Sequence, residues 1–580
     1  MASGSGQSFF GPHLVRDLKI LSCLLVPVFL ETLDYTLISE GQTHIASAFN
    51  ALNLQSWIGT SYLITNCTFL PLYAATAVMF GRFAAMQVAL WSFLLGSIIS
   101  TVGESMVVVA VGRGIQGVGG AGFLMVVQII LADSGLNTSQ PHVLVMYAIA
   151  FVVGPVISGP LVEDNFRWFF GINLICLAVG IPLSFVFLRK MAKKGDPIPR
   201  LPTSTQENYS IFEKLVLVDW LGIALMFLSS LCIVLALSYG PFDAWKSGRF
   251  IASLVLGIIL FFATIAWEWV LLRARQDPTR TSTLAVMFRA LPLEAFKHPN
   301  VIAIQFGNLL SGMSMYQSFY FVVIFGALGQ GRSINSVSIQ ILFYVPGMFV
   351  GSIITRRLMS LTHQPKYPAM IGLVAIVIGS IIGGIGAQKD SNAYIDASLA
   401  LFGLGGQLTI GPLIALSRAV EGDLRPRVLG LLPFFRSLGG LIALAQSFAI
   451  MNAKVRSYLA HAATDSSAYS AFDRIFFHNL STNDGVHSLE QISQLPSTVQ
   501  GVVEQAYRFG VHWTFFALIP WAGLALVLSP LMQKVPYPPP ESAVEGQQAH
   551  GEKPEVATSE GTPGSSVSQS ANEQFAPPAR

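Results

Sequence analysis

Fourteen long apolar stretches divide most of this chain, and they restrict its possible folds more than any other feature does. A helix needs about 20 mainly apolar residues to cross a bilayer. Inside lipid a helix satisfies its own backbone hydrogen bonds, which an open strand or loop cannot do. The sequence therefore predicts an all-α membrane protein. The predicted spans are residues 20–40, 55–78, 84–103, 106–132, 142–162, 167–188, 218–239, 250–272, 300–326, 335–355, 367–387, 395–417, 428–452 and 510–532.

The positions of Lys and Arg indicate how these spans are oriented. If the N-terminus is cytosolic, the two most basic loops, 189–217 and 273–299, also face the cytosol. The loops on the opposite side contain few basic residues, as the positive-inside rule requires. Adding or removing one span would destroy this pattern. The charges therefore support an even number of spans, with both ends of the chain in the cytosol.

Composition and motifs exclude several classes of function. Charged residues make up only 11% of the chain, whereas soluble domains contain about 25%. The net charge of +3 gives no sign of a nucleic-acid partner. The sequence contains no Walker motif, no Ser/His/Asp arrangement and no zinc-protease motif, which disfavours an ATP-driven pump and an enzyme. The four cysteines lie in apolar runs without metal-ligand spacing, so no metal or other cofactor is expected.

The spans are arranged along the chain as six, two and six. The segment at 533–580 is rich in Pro, Ser, Glu, Gln and Gly, a composition that predicts a disordered tail. Within an outer loop, Asn479-Leu480-Ser481 is either a glycosylation acceptor or an unused triplet. The expected domains are a cytosolic N-terminus at 1–19, a six-helix bundle at 20–188, a cytosolic loop at 189–217, two inserted helices at 218–272, a cytosolic loop at 273–299, and a second six-helix bundle at 300–532 with its outer loop at 453–508.

Ionisable residues inside the spans are the first candidates for function, because each costs roughly 3 kcal/mol or more in lipid. Asp34 in the first span is a candidate proton carrier or cation partner, and Glu31, three residues before it, is a weaker one. Arg113 in the fourth span keeps its charge when buried and can stabilise a proton site. The alternative is structural, with acids that bond a neighbouring helix and an Arg that reaches an interface. Three further residues near span ends, Asp219, Glu268 and Arg436, are expected to extend to the membrane surface.

Glycine and proline mark two spans as close-packed or bent. In the fourth span, Gln116 shares a helix face with Arg113, and the neighbouring glycines allow another helix to approach closely. In the fifth span, proline removes helix hydrogen bonds, which predicts either a hinge or a static kink. The packing and hinge candidates are Gln116, Gly117, Gly119, Gly120, Gly154, Pro155, Gly159 and Pro160.

Several motifs in the right order resemble one transporter family. The matching segments are Leu33–Leu37 in the first span, Arg113–Gly120 in the fourth, Gly154–Gly159 in the fifth, Phe166–Asn173 at the sixth and Phe434–Gly440 in the thirteenth. Together they are similar to the fungal fourteen-span drug:proton antiporters of the major facilitator superfamily. The resemblance implies two six-helix bundles plus two inserted helices, and a central cavity that opens alternately to each side. It also implies proton-linked roles for Asp34 and Arg113.

The chain departs from the family pattern at several positions. In the loop after the second span, only Gly81 and Arg82 match, and Val78 stands where the family has an acid. That acid belongs to a charge network that gates the cytosolic side, so its absence predicts altered gating or slow turnover. Ser158 replaces a family glycine in the fifth span.

The sequence is therefore interpreted as a proton-coupled secondary transporter. We expect it to export a small organic molecule, either a drug or an amphiphilic secondary metabolite, as a monomer in the cell membrane. An alternative is a vacuolar-membrane importer of basic amino acids, because the segment from Thr60 to Tyr73 is similar to such fungal transporters. A third is a sensor that does not transport, which the altered loop would suit. The tail carries no evident signalling domain, which argues against the sensor.

Overall fold

The computed structural model describes residues 12–133, 141–189, 210–242, 245–276, 283–417, 424–482 and 486–532. Helices account for nearly all of these residues, as the apolar stretches predict. Within the described part, extended pairing is confined to one bridge between Val218 and Phe288. The chain is therefore an all-α protein in the segments that the structure describes.

The N-terminal half and the segment after it contain nine helices within the described residues. Helix α6 continues into a π-helical turn at Ser184–Leu188. The helices are α1 (Pro12–Ala48), α2 (Ser56–Met79), α3 (Arg82–Val102), α4 (Met106–Asp133), α5 (Pro141–Asp164), α6 (Trp168–Leu183), α7 (Ile211–Val216), α8 (Trp220–Tyr239) and α9 (Gly248–Gln276).

Ten more helices form the described C-terminal half. Helix α10 also continues into a π-helical turn, at Phe325–Gly329. The helices are α10 (Pro299–Ile324), α11 (Ile334–Ile341), α12 (Tyr344–Thr362), α13 (Lys366–Lys389), α14 (Asn392–Ser417), α15 (Leu424–Thr464), α16 (Ala471–Thr482), α17 (Leu489–Ser493), α18 (Ser497–Ala517) and α19 (Ile519–Leu528).

Among the described residues, eleven helical segments are long and apolar enough to cross a membrane. The first, fifth and twelfth predicted spans correspond to α1, α5 and α14, which are not among the eleven; α5 contains a shorter apolar segment at Tyr147–Leu161. The number of fourteen spans thus remains a prediction. The eleven segments are Leu52–Met79, Arg82–Val102, Met106–Leu131, Trp168–Leu188, Trp220–Tyr239, Gly248–Gln276, Pro299–Gly329, Ile334–Thr362, Lys366–Lys389, Gly430–Thr464 and Ser497–Leu528.

Burial separates central helices from peripheral ones. The most apolar window of α10 is buried throughout, so this helix lies at the centre of the bundle. By contrast, most of α9 is exposed on the outside of the protein and faces the region that lipid would occupy. The predicted inserted pair, α8 and α9, pack against each other, and α8 also contacts α2 and α15. The pair therefore lies beside the line where the two halves meet.

Helices extend further into the expected outer loop than the apolar runs suggested. Helix α15 continues to Thr464 and α18 already begins at Ser497, which leaves α16 and α17 between them. Charged residues end the apolar run of α15 without ending the helix, and their side chains find aromatic neighbours. The ammonium group of Lys454 lies 4.3 Å from the centre of the Trp513 ring.

Two acids that were expected to reach the membrane surface are buried instead, so that expectation is wrong. Asp219 caps the start of α8 by accepting from the Gly222 backbone N–H at 2.9 Å. It also accepts from the Trp267 indole N–H at 2.8 Å. Glu268 is fully buried and accepts from the Leu291 backbone N–H at 2.8 Å. Because backbone and indole donors replace water, Asp219 joins α8 to α9, and Glu268 holds α9 to the loop before α10.

Gly119 tests whether the close packing of α3 on α4 carries stability. A Cβ atom there would lie 2.6 Å from the Ala89 carbonyl oxygen and from the Phe93 backbone nitrogen, neither of which can move aside alone. We expect Gly119→Ala to lower the free energy of unfolding by about 1–3 kcal/mol, as overpacking does. Thermal or denaturant unfolding in detergent measures the change.

Gly523 in α19 is the matched control, since nothing lies within 4 Å of the place that a Cβ atom would take. Gly523→Ala should be neutral or raise stability by up to about 1 kcal/mol, because Ala is the better helix former. If the two substitutions changed the free energy of unfolding equally, the close α3–α4 contact would not be what stabilises the protein at Gly119.

Candidate functional site

A buried ion pair joins α1 to α4. The guanidinium of Arg113 donates to the Asp34 carboxylate, with 2.7 Å between Nη1 and Oδ2. Each residue is only 1% exposed. An ion pair with so little contact with water must be held by further hydrogen bonds, because its desolvation costs several kcal/mol per ion.

Polar side chains from two other helices complete this charge site. The amide of Asn173 on α6 donates to Oδ1 of Asp34 at 2.6 Å. The carbonyl of Gln116 accepts from Arg113 at 2.8 Å, and its amide donates to the Ser97 hydroxyl on α3 at 2.7 Å. Both partners of the ion pair are thus bonded on more than one side.

Helix α2 supports the arginine from the remaining direction. Arg113 Nε donates to the Ile58 carbonyl at 3.3 Å. The guanidinium carbon lies 4.5 Å from the centre of the Tyr62 ring, within range of a cation–π interaction. Helices α1, α2, α3, α4 and α6 therefore all contribute to one site in the N-terminal half.

The glycines of α4 make this arrangement possible. A Cβ on Gly117 or Gly120 would collide with α2, at the Tyr62 backbone or ring. Because those glycines carry no side chain, α2 approaches closely enough to reach Arg113 with both a carbonyl and an aromatic ring. The structure thus brings Asp34, Arg113 and Gln116 together, while their proton-linked role stays a prediction.

Glu31 takes no part in that network. It is half-buried, and the Thr32 hydroxyl donates to it at 3.4 Å. The positive charge that acts on it comes from Arg436 on α15. Arg436 is itself half-buried and points a guanidinium nitrogen at the Met315 sulfur of central α10, 2.9 Å away. The expectation that Arg436 extends to the membrane surface is wrong, because its side chain turns towards the middle of the protein.

An aromatic cluster connects the residue next to Asp34 with the C-terminal half. The ring of Tyr35 lies 4.7 Å from Tyr316 and 5.2 Å from Phe319, both on α10. Its hydroxyl donates to the Met315 carbonyl at 3.0 Å. Phe319 also contacts Tyr344 on α12 at 5.0 Å. Sequence reasoning missed this cluster, because aromatic residues are common throughout the spans.

The motif in α5 packs between the two halves. A Cβ on Gly154 would collide with the Thr36 side chain on α1, and one on Gly159 with Asn335 on α11. Pro155 and Pro160 both lie inside the helix. Small residues therefore let α5 touch α1 and α11 at once, and the choice between hinge and static kink stays open.

Sequence reasoning also missed one buried acid in this region. Glu40 on α1 is fully buried and bonded to the hydroxyl of Ser158. It stands at the last residue of the predicted first span, where an acid indicates a helix end at the membrane surface. The available signal was its partner, since Ser158 departs from the family glycine.

The loop after α2 retains one of the charges that its family pattern contains. Arg82 is bonded to Asp133 at the end of α4, with 2.8 Å between Nε and Oδ2, and donates to the Ala77 carbonyl at 3.2 Å. Gly81 before it has a φ of 94°, a conformation that favours glycine. The loop thus keeps an arginine–acid contact although Val78 replaces the family acid.

The glycosylation candidate is divided between the surface and the interior. Asn479 lies on the exposed face of α16, whereas Ser481 is buried and donates to the His478 carbonyl at 2.9 Å. Modification of Asn479 therefore remains a prediction.

Comparison with known proteins gives a family model and relatives. The model described as Major Facilitator Superfamily matches residues 24–250, which run from α1 into α9. The MFS-type efflux pump MMF1 of Mycosarcoma maydis is 25% identical and covers 91% of this chain and 81% of its own. The efflux pump aflT of Aspergillus parasiticus is 28% identical, with coverage of 63% and 67%. The efflux pump LUC4 of a Fusarium species is 24% identical, with coverage of 76% and 75%.

Solved structures establish the fold. A bacterial homologue of the human lysosomal transporter Spinster, inward-facing and unoccupied, matches with a TM-score of 0.53 at 13% identity, covering 91% of this chain and 98% of its own. A D-xylose–proton symporter matches with a TM-score of 0.51 at 13% identity, with coverage of 90% and 99%. The predicted all-α major facilitator fold is thereby confirmed.

The ion pair predicts an asymmetry between single and double substitutions. Asp34→Asn leaves Arg113 charged, buried and without its carboxylate, which should lower the free energy of unfolding by about 3–5 kcal/mol. Adding Arg113→Gln removes the stranded charge, so the double variant should recover at least half of that loss. Denaturant unfolding in detergent measures both.

The matched control is the exposed pair of Asp390 and Arg508. Asp390→Asn should change stability by less than about 1 kcal/mol, since exposed pairs contribute little. If the double variant of Asp34 and Arg113 were as unstable as Asp34→Asn alone, the stranded charge would not be the cause.

Proposed function

We propose that this chain, a transporter of the major facilitator superfamily and not an enzyme, exports a small amphiphilic organic molecule in exchange for protons. The observation that carries the proposal is the buried Asp34–Arg113 pair with its Asn173 and Gln116 partners. The relatives named efflux pumps support export as the direction of transport.

The ion pair supplies a site whose charge changes when a proton binds. A proton on Asp34 removes the negative charge and leaves Arg113 without its counter-ion, in a place that water scarcely reaches. The energy of the site therefore depends strongly on the protonation state. A ligand shifts a conformational equilibrium only as far as its binding free energy differs between the two conformations. We expect this difference to be large for a proton at Asp34.

The aromatic cluster offers a route from this charge to the rest of the molecule. Tyr35 follows Asp34 directly in α1 and packs against Tyr316 and Phe319 of α10. A shift of α1 that accompanies protonation must therefore repack the contact between the two halves. Packed interfaces move between discrete arrangements, which suits alternating access.

The substrate class is inferred from the groups around Glu31 and Arg436. Arg436 lies within electrostatic range of Glu31 and of the hydroxyls of Tyr147, Tyr316 and Tyr344. An acid, a base and several aromatic rings can contact a molecule with a large apolar part and a few polar groups. We therefore propose an amphiphilic metabolite or drug as cargo, with Glu31 as a secondary proton or substrate contact.

The proposal includes the cell membrane as the site of action and a monomeric protein. A fluorescent fusion tests the location. Labelling of the cell surface supports export from the cell, whereas labelling of the vacuolar rim would favour the import of basic amino acids into the vacuole.

The double variant separates the chemistry of Asp34 from its effect on stability. Asp34→Asn with Arg113→Gln should fold, yet it has no carboxylate to load, so pH-driven transport should fall to background. Uptake of a fluorescent amphiphile into inverted vesicles under an imposed proton gradient measures this. Gly523→Ala, far from any neighbour, should transport as the unmodified protein does. Normal pH-driven transport in the double variant would refute the role of Asp34.

The cargo itself can be identified by comparing metabolites in a strain that lacks the gene with those in its parent. We expect one or more amphiphilic compounds to disappear from the medium and accumulate inside the cells. An unchanged medium together with a loss of basic amino acids from the vacuolar pool would overturn the export proposal.

A further inference from the structure

A second buried acid lies on α1 beyond the charge site. Glu40 follows Asp34 by six residues, which corresponds to about 9 Å along a helix. Its side chain is completely buried. One carboxyl oxygen is bonded to the Ser158 hydroxyl, and the other, Oε1, has no hydrogen-bond partner among the described residues. Nothing in the proposed action of Asp34 and Arg113 uses this group.

The hydrogen-bonded group around Glu40 includes residues from both halves of the protein. Ser158 lies on α5 of the N-terminal half, and its hydroxyl oxygen is 3.0 Å from that of Ser338 on α11 of the C-terminal half. The three side chains therefore form one hydrogen-bonded group across the interface, and Gly159 next to them allows α5 to touch Asn335.

This group lies at the end of the bundle where α1 and α5 finish, which the charge distribution predicts to be the outer side. A further bond crosses the interface at the same end, from the Gln42 amide to the Tyr320 carbonyl at 3.0 Å. At this end the two halves are thus closed against each other by polar contacts that water does not reach.

The described charged groups on the neighbouring elements do not pair with Glu40. Before α11, Arg332 donates to Gln340 at 3.1 Å and to the Ser336 carbonyl at 3.2 Å. At the start of α6, the Arg167 guanidinium lies over the Phe166 ring. On α1 itself, Asp34 and Tyr35 lie before Glu40, and His44 lies one turn after it. Glu40 is therefore bonded to a serine hydroxyl, and no described cation pairs with it.

We propose that Glu40 is a second proton-binding site, whose neutral form holds this end of the transporter closed through Ser158 and Ser338. An ionised carboxylate without a cation is costly to bury, whereas a neutral acid with hydroxyl partners is tolerated. The neutral acid can also donate its proton to Ser158, which leaves the Ser158 hydrogen for Ser338 or for the Pro155 carbonyl at 3.1 Å.

Loss of the proton reverses this balance. The ionised Glu40 carboxylate is stabilised by hydration. Water can reach it only if the two halves separate at this end. A low pH on the outer side therefore keeps Glu40 protonated and this end of the transporter closed. A high pH favours opening at the same end. The inference deepens the proposed function, on which it rests for the proton as coupling ion, but it concerns closure and can be measured without transport.

Hydrogen–deuterium exchange of the purified full-length protein tests the proposal. After correction for the intrinsic pH dependence of amide exchange, peptides covering residues 154–161 and 330–341 should exchange several-fold faster at alkaline than at acidic pH. Glu40→Gln mimics the neutral acid, so these peptides should stay slow at both pH values. Glu104→Gln removes an exposed acid between α3 and α4 and should behave as the unmodified protein does.

A second variant keeps the test independent of how well Glu40→Gln folds. Ser338→Ala removes the partner from the C-terminal half, so exchange at acidic pH should rise towards the alkaline value. The absence of any pH effect in the unmodified protein would overturn the proposal, as would a pH effect that survives Glu40→Gln. Either result would leave the transport assay of Asp34 unaffected, so the two proposals can fail separately.

Discussion

The cost of placing charge where water is absent shapes the N-terminal half of this protein. Asp34 and Arg113 are tolerated at 1% exposure because they face each other and because Asn173, Gln116 and the Ile58 carbonyl bond to them. Those partners come from separate helices, so the ion pair constrains how these helices can be placed relative to one another. The close approach of α2 to α4 is one consequence, and it needs glycine at the contact points.

The same helix that holds the charge also forms the contact with the other half. Along α1, Asp34 faces the N-terminal bundle, Tyr35 faces α10, and Glu40 is bonded to Ser158 of α5, which in turn contacts α11. In the proposed function, a helix that carries charge on one face and the interface on another links protonation to movement without a separate relay. In this arrangement α1 is the element that joins the charge site to the contact between the two halves.

The loop after α2 shows how a departure from a family pattern is partly compensated. Val78 cannot form the ion contact of the acid it replaces, and this supports the expectation of altered gating. Yet Arg82 is held by Asp133 and by the Ala77 carbonyl, so the loop remains tied to the end of α4. Val78 therefore removes the negative charge of the family acid, while the Arg82–Asp133 contact still attaches the loop to α4.

The sequence by itself determined the all-α membrane architecture, because apolar length and the positions of basic residues do not depend on tertiary contacts. It also identified Asp34 and Arg113, since an ionised residue inside an apolar stretch stands out without a structure. Only the tertiary structure decided their partners, the burial of Asp219 and Glu268, the inward turn of Arg436, and the group formed by Glu40, Ser158 and Ser338. Those contacts join residues far apart in the chain, and their energies depend on which faces of which helices meet.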